Sequence, residues 1–150
     1  MRQTWDEYFS TLSRQVASRA TCDRLHVGCV IVRDKRILAT GYNGSLPGAD
    51  HCDDAGHLMM DGHCVATAHA ETNAVANAAR AGVSTMDSVA FVTHTPCWNC
   101  IKNLVAAGVK RIVFDLTYPN VETTHPQRLS EILSKAGVVL EKLSNIENAK

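Results

Sequence analysis

Apolar residues recur near the start of the chain at the intervals of an amphipathic helix. Thr4 and Glu7 have the spacing of a capping box, in which each side chain hydrogen-bonds the backbone of the other residue. The apolar positions that follow are Trp5, Tyr8, Phe9, Leu12 and Val16. This pattern predicts a helix from residue 4 to about residue 20, with its aromatic stripe packed in the core.

Strand patterns and further helical patterns follow in alternation. Residues 27–32 read V-G-C-V-I-V and residues 36–42 read R-I-L-A-T-G-Y, which predicts a hairpin around the polar pair Asp34 and Lys35. Further strands are expected at 88–93, 111–115 and 138–140. Helices are expected at about 67–81, from about Cys97 to Gly108, and after Pro126. The alternation predicts a three-layer α/β/α fold with a mixed five-stranded sheet.

Composition and charge narrow the class of protein. The 150 residues are expected to form one domain, 1–150, with 45% hydrophobic and 20% charged residues. Fifteen basic residues balance fifteen acidic ones, so nucleic acid is not an expected partner. No apolar run approaches the length of a membrane span, and a membrane partner is not expected either. The expected location is the cytoplasm, or the host cytoplasm if the source is a virus.

Two short stretches carry the chemistry. His69-Ala70-Glu71 opens a predicted helix, and Pro96-Cys97-Trp98-Asn99-Cys100 follows a predicted strand. A lone C-x-x-C would fit a redox pair, half of a structural zinc site or buried thiols equally well. Together with His69, however, Cys97 and Cys100 make three zinc ligands, which leave a fourth position for water, as in catalytic sites. Glu71 stands beside this set and is the predicted general acid and base.

This combination is similar to that of the zinc deaminases, H-x-E followed by P-C-x-x-C, so the chain resembles the cytidine deaminase superfamily. The run Gly41-Tyr42-Asn43-Gly44, after V-G-C-V-I-V, is similar to the deoxycytidylate deaminase branch of bacterial and phage type. The resemblance extends from about Trp5 to Gly137. It implies a cytidine deaminase-like fold and the hydrolysis of dCMP to dUMP and ammonia, which supplies dUMP for thymidylate synthesis.

The expected mechanism assigns a task to each residue of the motif. Zinc lowers the pKa of its water, and Glu71 moves the released proton to N3 and then to the departing amino group. The backbone N–H of Ala70, free in the first helical turn, is expected to bind the pyrimidine O2. Further candidate substrate contacts are Asn43, Tyr118 and Arg24, where Arg24 is either a phosphate ligand or a surface arginine.

The connection at residues 45–65 is rich in cysteine and histidine, and such tracts are metal-binding candidates. With Cys22, it offers enough nitrogen and sulfur ligands for a second, structural zinc. Similar bacterial and phage deoxycytidylate deaminases carry cysteine and histidine at corresponding places. The preferred ligands are Cys22, Cys52, His57 and His63, with Cys64 and His51 as alternates. The competing interpretation is a mobile loop with solvated histidines.

The resemblance also implies assembly and regulation. The deoxycytidylate deaminases are homohexamers that dCTP with Mg²⁺ activates and dTTP inhibits. The candidate effector-site residues are Tyr42, Asn43, Gly44 and Arg80. For Asn43, the alternatives are a role at the substrate sugar and a plain turn.

The sequence is also compatible with two other functions. One is a different deaminase of the superfamily, acting on free cytidine or deoxycytidine or on a tRNA adenosine. A tRNA substrate is disfavoured because phosphate contacts need clustered basic residues. The other is a non-catalytic zinc module, which would be expected to supply four ligands at the first site and leaves Glu71 without a role.

Overall fold

The computed structural model describes residues 1–118 and 125–149. The helices are α1 (Trp5–Ala17), α2 (Cys52–Ala55), α3 (Ala70–Ala81), α4 (Trp98–Ala106), α5 (Pro126–Lys135) and α6 (Leu143–Asn148). The longer strands are β1 (Gly28–Arg33), β2 (Arg36–Tyr42), β7 (Ser88–His94), β8 (Val109–Leu116) and β9 (Val139–Lys142). Four two-residue strands lie between β2 and α3, namely β3 (Gly44–Ser45), β4 (Met59–Met60), β5 (His63–Cys64) and β6 (Thr67–Ala68).

The five longer strands form one sheet in the order β2-β1-β7-β8-β9. The β1–β2 and β1–β7 pairs are antiparallel, whereas β7–β8 and β8–β9 are parallel. Asp34 and Lys35 both have positive φ, 52° and 63°, as a two-residue hairpin turn requires. The predicted hairpin and the predicted mixed five-stranded sheet are both confirmed.

Helices cover both faces of this sheet. On one face, α3, α4 and α5 contribute Ala74, Leu104 and Leu133 to a buried cluster with residues of β1, β7 and β8. On the other face, Phe9 of α1 and Leu143 of α6 pack against a second cluster from the same strands. The predicted three-layer arrangement is therefore confirmed, and α3 and α4 lie on a common face of the sheet.

The first helix begins as its sequence predicts. The Glu7 amide donates to the Thr4 hydroxyl at 3.2 Å, and the Thr4 amide donates to the Glu7 carboxylate. Phe9 is buried and its ring lies 5.4 Å from that of Phe91, so the aromatic stripe does pack in the core. The helix ends at Ala17 and is shorter than predicted.

The chain departs from the sequence prediction at two places. The tail beyond Glu141, which carries no clear sequence pattern, continues β9 and then forms α6, because Leu143 and Ile146 reach the second core cluster. The connection at 45–65 is not one long loop. The β3–β6 pair joins its two ends, and β4 and β5 form a small hairpin within it.

Within the ranges 1–118 and 125–149, no helix combines the length and the apolar character that crossing a membrane would require.

Candidate active site

Two helix N-termini bring the first group of predicted ligands together. His69 is the N-cap of α3 and Cys97 is the N-cap of α4, while Cys100 lies in the first turn of α4. Both helices pack on the same face of the sheet, with α3 against β1 and β2, and α4 against α3 and β8. Because the helices run side by side, residues 28 or more positions apart in the sequence meet at one point.

The three side chains have the spacing that a zinc ion requires. His69 Nδ1 lies 3.3 Å from Cys100 Sγ and 3.7 Å from Cys97 Sγ, and all three ligand atoms lie within 4.8 Å of one another. Ordinary Zn–N and Zn–S bonds in a tetrahedron give N···S separations of about 3.6 Å and S···S separations of about 3.8 Å. The donor set therefore fits zinc and leaves one of four positions for another ligand.

Hydrogen bonds among the three ligands shift their pKa values in different directions. Hydrogen bonds from Cys100 and from His69 lower the pKa of the Cys97 thiol to about 4. The hydrogen bond between Cys100 and Cys97, together with burial, raises the pKa of Cys100. The hydrogen bond between His69 and Cys97 raises the pKa of His69. One thiolate is thus already present near pH 7. Zinc binding would have to release the proton held by Cys100.

Glu71 lies next to this cluster and is not one of its ligands. It is the second residue of α3 and only 4% exposed. Burial raises the pKa of its carboxyl group, while the neighbouring His69 and Cys100 oppose that shift. A buried carboxyl that can exchange a proton beside a three-ligand metal set is the arrangement that general acid and base catalysis needs.

A cavity of about 570 Å³ opens onto the cluster. His69, Glu71 and Cys97 are among the residues that line it. The four predicted substrate contacts, Ala70, Asn43, Arg24 and Tyr118, also line this cavity. The structure brings all of these residues together, and their contacts with a substrate remain predictions.

The Asn43 amide is already engaged by the protein. Its Oδ1 accepts a hydrogen bond from the Val27 amide at 2.7 Å, and its Nδ2 donates to the Leu25 carbonyl at 2.7 Å. These bonds fix residues 25–27, which form part of the cavity wall together with Asn43 itself. The side chain therefore shapes the site, and one amide hydrogen is left for a ligand.

The sequence did not predict several of the residues that line the cavity. They are His63, His94, Thr95, Trp98 and His125. His94 is half-buried in the cavity wall, and burial lowers its pKa. Its Nδ1 lies 2.8 Å from the Thr93 hydroxyl, which also accepts from the Gly28 amide. The position of His94 at the end of a strand, directly before the Pro-Cys motif, is the signal that points to it.

The predicted effector-site residues lie away from the cavity lining, apart from Asn43. Tyr42 is 37% exposed at the end of β2, and Arg80 is exposed in the last turn of α3. Gly44 is buried beneath the Tyr42 ring, which a Cβ at residue 44 would meet at 3.0 Å. Their effector role remains a prediction.

A second group of ligands forms around the connection between β2 and α3. Cys22, Cys52, His57 and Cys64 place their ligand atoms within 4.8 Å of one another. Cys22 Sγ lies 3.5 Å from His57 Nδ1, and Cys52 Sγ lies 3.7 Å from Cys64 Sγ. Four nitrogen and sulfur ligands at these separations fit a closed tetrahedral zinc site. We call this group the second cluster.

The choice of His63 as a ligand of this cluster is wrong, and the alternate Cys64 takes its place. The reason is local. His63 and Cys64 are consecutive residues of β5, and consecutive side chains of a strand point to opposite faces. Cys64 faces the other ligands, so the His63 side chain faces away from them, and both residues border the 570 Å³ cavity.

The surroundings of the second cluster favour a bound metal. Hydrogen bonds, of which the one from the Ala66 backbone has the largest effect, lower the pKa of Cys64 to about 6. Burial raises the pKa of Cys52 to about 12. His57 directs Nδ1 toward Cys22, and its Nε2 lies 3.0 Å from an Asp23 carboxylate oxygen. Metal-ligating histidines commonly have such a carboxylate partner on the other ring nitrogen.

Comparison with known proteins agrees with this geometry. The family model for the cytidine and deoxycytidylate deaminase zinc-binding region matches residues 3–116. ComE operon protein 2 of Bacillus subtilis is 44% identical over 95% of this chain and 72% of its own length. The deoxycytidylate deaminase of Saccharomyces cerevisiae is 33% identical over the whole chain, which spans 48% of the yeast enzyme.

A solved structure is also similar. The dCMP deaminase of cyanophage S-TIM5, crystallised with dCMP and dUMP, superposes with a TM-score of 0.77 at 29% identity, over 95% of this chain and 99% of the phage chain. The predicted resemblance and the predicted enzyme class are thereby confirmed, and the chain belongs to the cytidine and deoxycytidylate deaminase family.

Proposed function

We propose that this chain hydrolyses dCMP to dUMP and ammonia, with residues 1–150 acting as a single deaminase domain. The observation that carries the proposal is the buried Glu71 carboxyl beside the three-ligand cluster, inside a cavity large enough for a nucleotide. The names of the yeast and cyanophage relatives, both dCMP deaminases, support the choice of substrate. The dUMP product would supply thymidylate synthesis.

The residues that would hold the catalytic zinc are His69, Cys97 and Cys100, whose spacing fits the ion. Zinc bound there supplies Lewis acidity that brings the pKa of a water ligand near neutrality. Glu71 accepts a proton from the water that attacks C4 and transfers it to N3. The carboxylate then takes the remaining proton from the new C4 hydroxyl and passes it to the amino group as that group leaves. The C4–N bond breaks as the C4–O single bond becomes the carbonyl, so ammonia and the uracil base result.

Backbone and side-chain donors would orient the nucleotide. The Ala70 amide is in the first turn of α3, where N–H groups have no partner within the helix, and it borders the cavity. We assign it to the pyrimidine O2. Arg24, which also lines the cavity, is assigned to the 5′-phosphate, and Tyr118 to the sugar or phosphate. Glu71 is the one acidic side chain among the described residues of the lining, so the rest of the wall suits an anion.

Activity toward three substrates tests this proposal. We expect kcat/KM for dCMP to exceed that for deoxycytidine by about 10-fold or more, since a charged hydrogen bond to phosphate would be lost with the nucleoside. A tRNA substrate should give no turnover, because the net charge is zero. Release of ammonia, followed with equal enzyme in each reaction, measures all three rates. A preference for deoxycytidine over dCMP would contradict the nucleotide assignment.

We further propose that the second cluster holds a structural zinc. Purified protein should contain about two zinc ions per chain, and His57→Ala should reduce this to about one. A chelator should abolish activity before the protein unfolds, because the first site keeps an open position and the second does not. Elemental analysis with parallel circular dichroism measures these quantities. A wild-type content of one zinc per chain would refute the second site.

We also propose a homohexamer that dCTP with Mg²⁺ activates and dTTP inhibits. Exposed apolar side chains at the end of β2 and in the connection that follows it support an interface, namely Tyr42, Leu46, Leu58, Met59 and Met60. Solution mass and rate curves against dCMP, with and without each effector, test the idea. Hyperbolic curves that neither nucleotide shifts, from a particle that stays monomeric, would end it while leaving the deaminase proposal intact.

A further inference from the structure

The second cluster and the catalytic cluster share one cavity. Two ligands of the second cluster, Cys22 and Cys64, line the same 570 Å³ space as His69 and Glu71. A purely structural metal would have no need to border the substrate cavity. Its location instead places two of its ligands in the wall of the cavity that the catalytic ligands also line.

Two cavity residues that are close in sequence to these ligands can donate hydrogen bonds. Arg24 is two positions from Cys22, and His63 is adjacent to Cys64. Both side chains are exposed at the cavity and both line it. Together they offer a guanidinium group and an imidazole to an anionic ligand, and a guanidinium matches the geometry of a phosphate.

The backbone that carries these donors has little regular structure of its own. His63 lies in the two-residue strand β5, which pairs only with Met59 and Met60 of β4 within the described chain. Arg24 lies in the connection between α1 and β1, which holds no helix or strand. The second cluster joins this connection to α2, His57 and β5 through Cys22, Cys52 and Cys64. A metal bound to four ligands would therefore fix two short segments relative to each other.

We propose that the second cluster, when it holds zinc, positions Arg24 and His63 as the phosphate-binding side of the active-site cavity. The metal then governs affinity for the 5′-phosphate of the nucleotide and leaves the chemical step to the catalytic cluster. This inference rests on the proposed function in one respect, namely that the base lies at Glu71 and the phosphate at Arg24. Arg24 and His63 act on the ligand, and the four metal ligands act through them as positioning residues.

Binding of dUMP and deoxyuridine, measured by calorimetry, isolates the phosphate from the rest of the ligand and requires no turnover. The variants are His57→Ala, which removes a metal ligand, and Arg24→Gln and His63→Ala, which leave all four ligands in place. His51→Ala is the matched control, because His51 lies in the same connection, is exposed and is outside the cluster. Zinc content and circular dichroism are recorded for each protein.

We expect His57→Ala to lose about one zinc per chain and to raise the Kd of dUMP by about 10-fold or more, with the Kd of deoxyuridine within about twofold of wild type. Arg24→Gln and His63→Ala should show the same selective loss with full zinc content. In the protein that carries both of those changes, adding His57→Ala should weaken dUMP binding no further, because the metal acts through these two residues. His51→Ala should match wild type throughout.

Equal loss of dUMP and deoxyuridine affinity in His57→Ala would indicate a general structural role and overturn the inference. Unchanged dUMP affinity in Arg24→Gln and His63→Ala would also overturn it, even if His57→Ala failed to fold. In either case, wild-type turnover of dCMP would leave the proposed function standing. A wild-type protein that binds dUMP selectively but converts no dCMP would instead contradict the proposed function alone.

Discussion

Replacing Glu71 with glutamine is expected to lower kcat for dCMP by about 10²- to 10⁴-fold, the usual contribution of a positioned general acid and base. Glutamine keeps the size of the side chain and one acceptor oxygen, but its amide cannot take up and release a proton near neutral pH. Because Glu71 lies outside the three-ligand set, zinc content should stay at the wild-type value. Single-turnover rates and elemental analysis of the same protein preparation measure both effects.

Thr72→Ala is the control for this substitution. Thr72 is the next residue of α3, is exposed and does not line the cavity. We expect it to retain wild-type activity, which would show that a change in this turn of the helix is tolerated. If Glu71→Gln kept more than about 5% of the wild-type rate, a proportion above the range expected for a general acid and base, the role assigned to Glu71 would be wrong.

The second large effect is expected from Gly41→Ala. Gly41 is buried in β2, where α3 packs directly on the strand, and a Cβ there would collide with the Ala70 carbonyl oxygen and the Ala74 amide nitrogen. Both obstacles are backbone atoms, so no side-chain rotation relieves the overlap. The substitution must push α3 away from the sheet, and α3 carries His69 at its N-cap and Glu71 in its first turn.

We expect Gly41→Ala to lower the free energy of unfolding by about 1–3 kcal/mol, as overpacked cores do. The activity of the molecules that remain folded should fall by about 10²-fold, because small displacements of catalytic groups are costly. Urea unfolding and kcat/KM for dCMP, both at one temperature, measure the two effects separately.

Gly28→Ala provides the comparison for this variant. A Cβ at Gly28 would collide with the Ser13 carbonyl oxygen and the Ala17 amide nitrogen of α1, on the opposite face of the sheet from α3. Its stability should fall by a similar amount, with a smaller loss of activity per folded molecule. Wild-type stability and activity in Gly41→Ala would contradict the close packing of α3 on β2.

The parts of the site that the sequence predicts are those where chemistry restricts the residue type. Zinc chemistry requires particular side chains at particular spacings, so His69, Glu71, Cys97 and Cys100 are recognisable without a structure. The capping box at Thr4 and Glu7 and the hairpin between β1 and β2 are equally local, and the structure has both.

The remainder depends on tertiary contacts that leave no local signal. The choice between His63 and Cys64 rests on which face of a two-residue strand meets Cys22 and Cys52. The short helix α6 forms because Leu143 is buried against the sheet, although the tail reads as polar.

The central claim, hydrolysis at C4 of dCMP, is tested most directly by one reaction in ¹⁸O-labelled water. Zinc-loaded protein is incubated with dCMP, and the nucleotide and ammonia are quantified by mass spectrometry and an ammonia assay. The account predicts equal amounts of dUMP and ammonia, with one solvent oxygen at C4 of every new uracil, and no product from Glu71→Gln on the same timescale. Absence of dUMP, or dUMP without the solvent oxygen, would contradict it.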